Sequence, residues 1–119
     1  MKNFFLQRWK RIKWAANGLY EFLKSEVHAR IHLVFIIMVV AAGFFFGLTS
    51  LEWILIVISI GMVILTEIIN TVIEKMMDFV HPDFHPDIKI IKDMAAGAVL
   101  WVVLIAVVIG GIIFVPKIF

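Results

Sequence analysis

Three apolar runs, at roughly residues 32–50, 51–73 and 94–115, occupy more than half of this chain. A helix crosses the hydrocarbon core of a bilayer with about 20 mostly apolar residues. No water reaches that depth, so each backbone amide and carbonyl must be satisfied within the protein, and a run of this length does so as a helix. The first run is the shortest, and its helix is expected to extend at both ends. Composition agrees, with 63% hydrophobic and 17% charged residues, against about 45–50% and about 25% in soluble domains. The reading is an all-α membrane protein forming one domain over 1–119. The absence of cysteine excludes disulfides, thiolate ligands and thiolate nucleophiles.

Residues 1–30 precede the first run. In "FFLQRWKRIKWAANGLYEFL", Phe5, Trp9, Ile12, Ala16, Leu19, Tyr20 and Leu23 fall on one side of a helix. Arg8, Lys10 and Arg11 fall at its edge or behind it. That pattern predicts an amphipathic helix lying on a membrane surface, with its cations at anionic headgroups. The basic start is not read as a signal peptide, because the apolar run begins too late and no cleavage site follows a short apolar stretch. No nucleic-acid module is present. Lys and Arg precede the first span in number and recur as Lys75, Lys89 and Lys92 between the second and third. The turn "GLTSLEW" has none, and only Lys117 follows the third span. By the positive-inside rule the N-terminus and second loop are cytoplasmic, and the first turn and C-terminus lie outside, in the cell's inner (cytoplasmic) membrane.

Against this apolar background stands "EIINTVIEKMMD", residues 67–78. On a helix Glu67, Asn70, Glu74 and Asp78 share a stripe about 80° wide. Ionisable groups in a span are costly and normally face a bundle interior or a wet cavity. Neighbouring carboxylates repel unless a cation or a shared proton lies between them. Hard oxygen donors suit Mg²⁺, which keeps waters and is shared with phosphates. Glu67 lies roughly 12 Å deeper than Lys75 at 1.5 Å per residue, so one face joins a lipid-level carboxylate to carboxylates near water. A reaction between a lipid headgroup and a soluble phosphate donor needs that arrangement. Two further clusters are expected at the same membrane face: Glu26 with Arg30 before the first span, and Lys92 with Asp93 before the third. Taken alone, Glu26 and Arg30 read as an ordinary pair one helical turn apart.

The loop "FVHPDFHPDIKIIKD" doubles His-Pro-Asp. Its prolines should end the second long helix near Val80, and the loop reads as a solvated turn rather than a metal site. No GxxxxGK[ST] occurs, so no P-loop is present. Gly43 and Gly47 form one GxxxG, and "DMAAGAVL" supplies small residues; both read as helix packing. Competing readings are a small oligomeric transporter using Glu67 as its ion site, and a structural adaptor. A transporter leaves Glu74, Asp78, Glu26, Lys92 and Asp93 unexplained, and an adaptor requires none of the stripe.

The motif E-x-x-N-[ST]-x-x-E-x-x-x-D, matched by Glu67, Asn70, Thr71, Glu74 and Asp78, resembles that of the bacterial integral-membrane diacylglycerol kinase family, which also contains undecaprenol kinases. K-D-x-x-[AS]-[AG]-A-V is matched in outline by Lys92, Asp93 and "AAGAV". E-x-N-x-R-I-H is matched by Glu26, Arg30, Ile31 and His32, with His28 in place of Asn. The likeness runs over nearly the whole chain. It implies a homotrimer of three-span subunits that phosphorylates a membrane lipid alcohol with ATP and Mg²⁺. By that resemblance Glu67 is the general base, Asn70 positions the reacting groups, and Glu26 and Glu74 are metal ligands. Lys92 and Asp93 lie on the phosphate side, and Arg30 and Glu67 on the lipid side. Asp78, Asp83 and His85 belong to the nucleotide region. "KDMAAGAVL" and "IIFVPKIF" look more like the undecaprenol branch, with diacylglycerol the alternative substrate.

Overall fold

A computed structural model describes all residues, Met1–Phe119. It contains four α-helices and no strands: α1 (Lys2–Ser25), α2 (Val27–Phe46), α3 (Ser50–Val80) and α4 (Pro86–Ile118). α2, α3 and α4 are each long and apolar enough to cross a membrane. The chain divides into two compact units, Met1–Val34 and Phe35–Phe119.

In the first unit, the apolar face predicted for α1 forms one continuous helix. Phe5, Trp9, Ile12, Leu19, Tyr20 and Leu23 are exposed on it, while Phe22 is buried. The Arg8 guanidinium lies 4.9 Å from the Phe4 ring centroid, a cation–π contact that lets a charged head share an aromatic surface. α1 stops at Glu26, whose backbone is extended (φ −111°, ψ 116°) and whose N–H donates to the Phe22 carbonyl. Glu26 therefore stands outside helical geometry, directly before α2.

α2 extends beyond the first apolar run only at its N-terminal end, to Val27. At the other end Gly47 adopts φ +67°, a conformation that a Cβ would strain. The Gly47 and Leu48 amides both donate to the Gly43 carbonyl, at 3.0 and 3.2 Å, and Leu48 is buried beside this cap. This left-handed termination satisfies orphan helix carbonyls. The GxxxG thus splits into two jobs. Gly43 is a contact: a Cβ there would lie 2.6 Å from Cη2 of Trp53. Gly43→Ala should lower the thermal midpoint of the detergent-solubilised protein, because overpacking costs about 1–3 kcal/mol against about 1 kcal/mol gained in helix propensity. Trp53→Phe in the same chain should restore part of the loss; a Gly43→Ala protein as stable as wild type would show that the indole moves freely.

The second unit is built on α3 against α4. Leu48, Ile56 and Ile113 form its buried apolar centre, with Val39, Trp53, Ile60, Ile109 and Phe114 packed around it. Polar side chains in the apolar part of α3 are satisfied by their own helix: Ser59 Oγ donates to the Leu55 carbonyl at 2.8 Å and Thr66 Oγ1 to that of Met62 at 2.6 Å. That is the usual way to place hydroxyls at a depth without water.

Both helices outrun the hydrocarbon. α3 has 31 residues and α4 has 33, hence roughly 45–50 Å each against a core of about 30 Å. α3 ends at Val80, as the prolines demand. α4 begins at Pro86, well before its apolar run. His85 is its N-cap, with Nδ1 accepting from the Asp87 amide at 3.1 Å, and Pro86 fills the first turn. The excess of both helices therefore lies at the end joined by the 81–85 turn.

Candidate active site

The polar stripe of α3 is graded in burial. Glu67 is 8% and Thr71 9% exposed; Glu74 is half-buried; the Asp78 side chain is 63% exposed. The gradient follows position along the helix. Counted from Glu52 at the opposite end, Glu67 lies about 22 Å along the axis, Glu74 about 33 Å and Asp78 about 39 Å. A hydrocarbon core of about 30 Å beginning at Glu52 would enclose Glu67, end near Glu74 and leave Asp78 outside.

Asn70 links the levels. Its Nδ2 donates to Glu74 Oε1 in a long bond of 3.4 Å. Its Oδ1 is buried without a hydrogen-bond partner. An unsatisfied buried amide oxygen costs about 1–3 kcal/mol and suits a site awaiting a donor or a cation. No group of three or more His, Asp or Glu side chains gathers to hold a metal within the chain. The donors fit a hard cation of the Mg²⁺ kind, which needs only one or two carboxylates when phosphate oxygens and water complete its shell.

Two ion pairs occupy the same end of the unit. Lys92 Nζ meets Asp78 Oδ1 at 2.5 Å, joining α4 to α3, and Lys89 Nζ meets Asp93 Oδ2 at 2.6 Å along α4. Asp83 and His85 lie in the turn between the helices. His81 Nδ1 contacts the Asp83 carbonyl at 2.8 Å, and the His81 and His85 rings meet edge-on at 5.4 Å. With His85 Nδ1 committed to the cap, the doubled His-Pro-Asp is first a shaped turn. Glu26, half-buried, and Arg30, exposed, belong to the first unit.

Sequence reasoning missed a cluster at the opposite end. Thr49 and Glu52 form a capping box: the Thr49 amide donates to Glu52 Oε1 at 3.0 Å and the Glu52 amide to Thr49 Oγ1 at 3.2 Å. The same Oε1 receives Lys117 Nζ at 3.1 Å. The T-x-x-E spacing was the available signal; the distant lysine had none.

A profile described as prokaryotic diacylglycerol kinase matches residues 13–114. An undecaprenol kinase of Bacillus subtilis (strain 168) is 36% identical over 103 residues, covering 87% of this chain and 84% of that protein. A diacylglycerol kinase of Synechocystis sp. (strain ATCC 27184 / PCC 6803 / Kazusa) is 31% identical over 107 residues, covering 89% of this chain and 60% of the longer relative. One from Helicobacter pylori (strain ATCC 700392 / 26695) is 30% identical over 97 residues, covering 81% and 75%. The matched span contains α2, α3, nearly all of α4 and the whole polar stripe, and the chain belongs to the prokaryotic diacylglycerol kinase family, as a membrane lipid kinase transferring phosphate to an alcohol.

Proposed function

We propose that this lipid kinase is an undecaprenol kinase, moving the γ-phosphoryl group of ATP to the lipid hydroxyl with Mg²⁺ present. The observation that carries the reading is the graded stripe: a buried Glu67, one turn from a buried, unpartnered Asn70 oxygen and two turns from a half-buried Glu74. The lipid hydroxyl approaches Glu67 from the bilayer; the family resemblance assigns Arg30 to lipid binding. Glu67 takes its proton as the oxygen attacks the γ-phosphorus and the bond to ADP breaks. Asn70 orients the reacting groups. Glu74 would hold Mg²⁺, which would neutralise charge on the phosphate oxygens; the family resemblance also assigns Glu26 to the metal. Lys92 and Asp93 lie on the phosphate side, and Asp78, Asp83 and His85 belong to the nucleotide region. The higher identity to the undecaprenol kinase supports the choice of lipid, while relatives named diacylglycerol kinase make diacylglycerol the second reading. Competing the two lipids in one mixed-micelle assay decides: undecaprenol should have the larger kcat/KM, and preference for diacylglycerol overturns the choice.

A homotrimer is part of the same reading. It rests on the family resemblance alone. The orientation places the 81–85 turn in the cytoplasm, where ATP is, on the strength of Lys75, Lys89 and Lys92 around it. A reporter fused after Phe119 should therefore be active only outside the inner membrane; a cytoplasmic C-terminus would invert the topology and separate the polar end from ATP.

A further inference from the structure

Asp78–Lys92 and Lys89–Asp93 pair two cations with two carboxylates at the polar end of α3 and α4. As they stand they are neutral, pair by pair. A lysine engaged by a carboxylate offers a phosphate little until it is released. Asp93 follows Lys92 directly, so the two point about 100° apart on the helix, and Asp93 is engaged with Lys89. The carboxylate holding Lys92 is Asp78, on the other helix.

We propose that Asp78 competes with the nucleotide for Lys92: a phosphate oxygen displaces the Asp78 carboxylate from Lys92 Nζ, and this counter-ion exchange sets nucleotide affinity. The proposal rests on the reading of Lys92 as a phosphate-facing residue. Exposure makes the exchange feasible. The side chains of Lys92 and Asp78 are 34% and 63% exposed, so the released carboxylate returns to water rather than being stranded, and such a pair is weak. A lysine is suited to it, since its point charge rides on a flexible stem and moves between partners without moving the helix. Asp78 then acts through Lys92. It lowers affinity for ATP and for ADP alike and so helps product leave.

The test is a double-mutant cycle on the detergent-solubilised full chain, reading the equilibrium affinity for ADP with Mg²⁺ in wild type, Asp78→Asn, Lys92→Met and the double variant. All four must share the wild-type size-exclusion profile; Asp78→Ser replaces Asp78→Asn should the latter fail to fold. Asp78→Asn should tighten ADP binding, by up to about fivefold. The gain should vanish in the Lys92→Met background and shrink at high salt. A merely structural role for Asp78 would not produce tighter binding. Weaker binding by Asp78→Asn overturns competition. A gain that persists undiminished without Lys92 overturns exchange in favour of a general field effect. If Lys92→Met alone binds ADP like wild type, the phosphate-facing reading of Lys92 falls and the proposal with it.

Discussion

Glu67→Gln is expected to depress kinase turnover by at least about a hundredfold while leaving ATP affinity nearly intact. A lipid alcohol is a poor nucleophile until its proton has somewhere to go. General-base assistance is typically worth about 10²–10⁴-fold, and Glu67 is the carboxylate that α3 buries. The substitution keeps shape and removes the charged acceptor. Folding should survive, because an amide is less costly to bury than a charge. The measurement is turnover beside nucleotide affinity on one preparation. Turnover near wild type would dismiss the general base. Joint collapse of turnover and ATP affinity would reassign Glu67 to structure or to the metal.

Glu74→Gln should also cut activity strongly, but by a different route. Glu74 is half-buried and accepts from the Asn70 side-chain nitrogen, and the amide keeps its size while removing the charge that a hard cation needs. The defect should appear as a raised Mg²⁺ requirement, with activity partly recovered at high Mg²⁺. Glu67→Gln should show no such recovery. The contrast separates proton acceptance from metal binding on one helix face. Near-normal Glu74→Gln activity at ordinary Mg²⁺ would remove Glu74 from the metal site.

Much of the architecture was legible because it rests on local rules. The apolar runs announced helices, since the bilayer leaves the backbone few other choices, and Pro82 with Pro86 placed the end of α3 at Val80. The stripe of Glu67, Asn70, Glu74 and Asp78 was legible from helical periodicity alone. What escaped were features needing two elements at once. Gly43 and Gly47 looked like one packing motif, but Trp53 and a left-handed cap give them separate tasks. α4 starts eight residues before its apolar run because His85, Pro86 and Asp87 cap it locally, a signal hydropathy does not carry. The Asp78–Lys92 and Glu52–Lys117 contacts depend on how α3 lies against α4, which no spacing along one helix reveals.

The orphaned Asn70 oxygen was beyond sequence for a related reason. Periodicity puts an amide on the stripe but cannot say which of its atoms finds a partner. That oxygen is buried without a hydrogen-bond partner within the chain.

The most direct test of the account is transfer of label from γ-labelled ATP to lipid by the purified, detergent-solubilised protein, with and without Mg²⁺, given undecaprenol. The account predicts labelled undecaprenyl phosphate that requires Mg²⁺ and falls at least about a hundredfold with Glu67→Gln. Label that reaches no lipid, or that reaches undecaprenol equally with Glu67→Gln or without Mg²⁺, would contradict it.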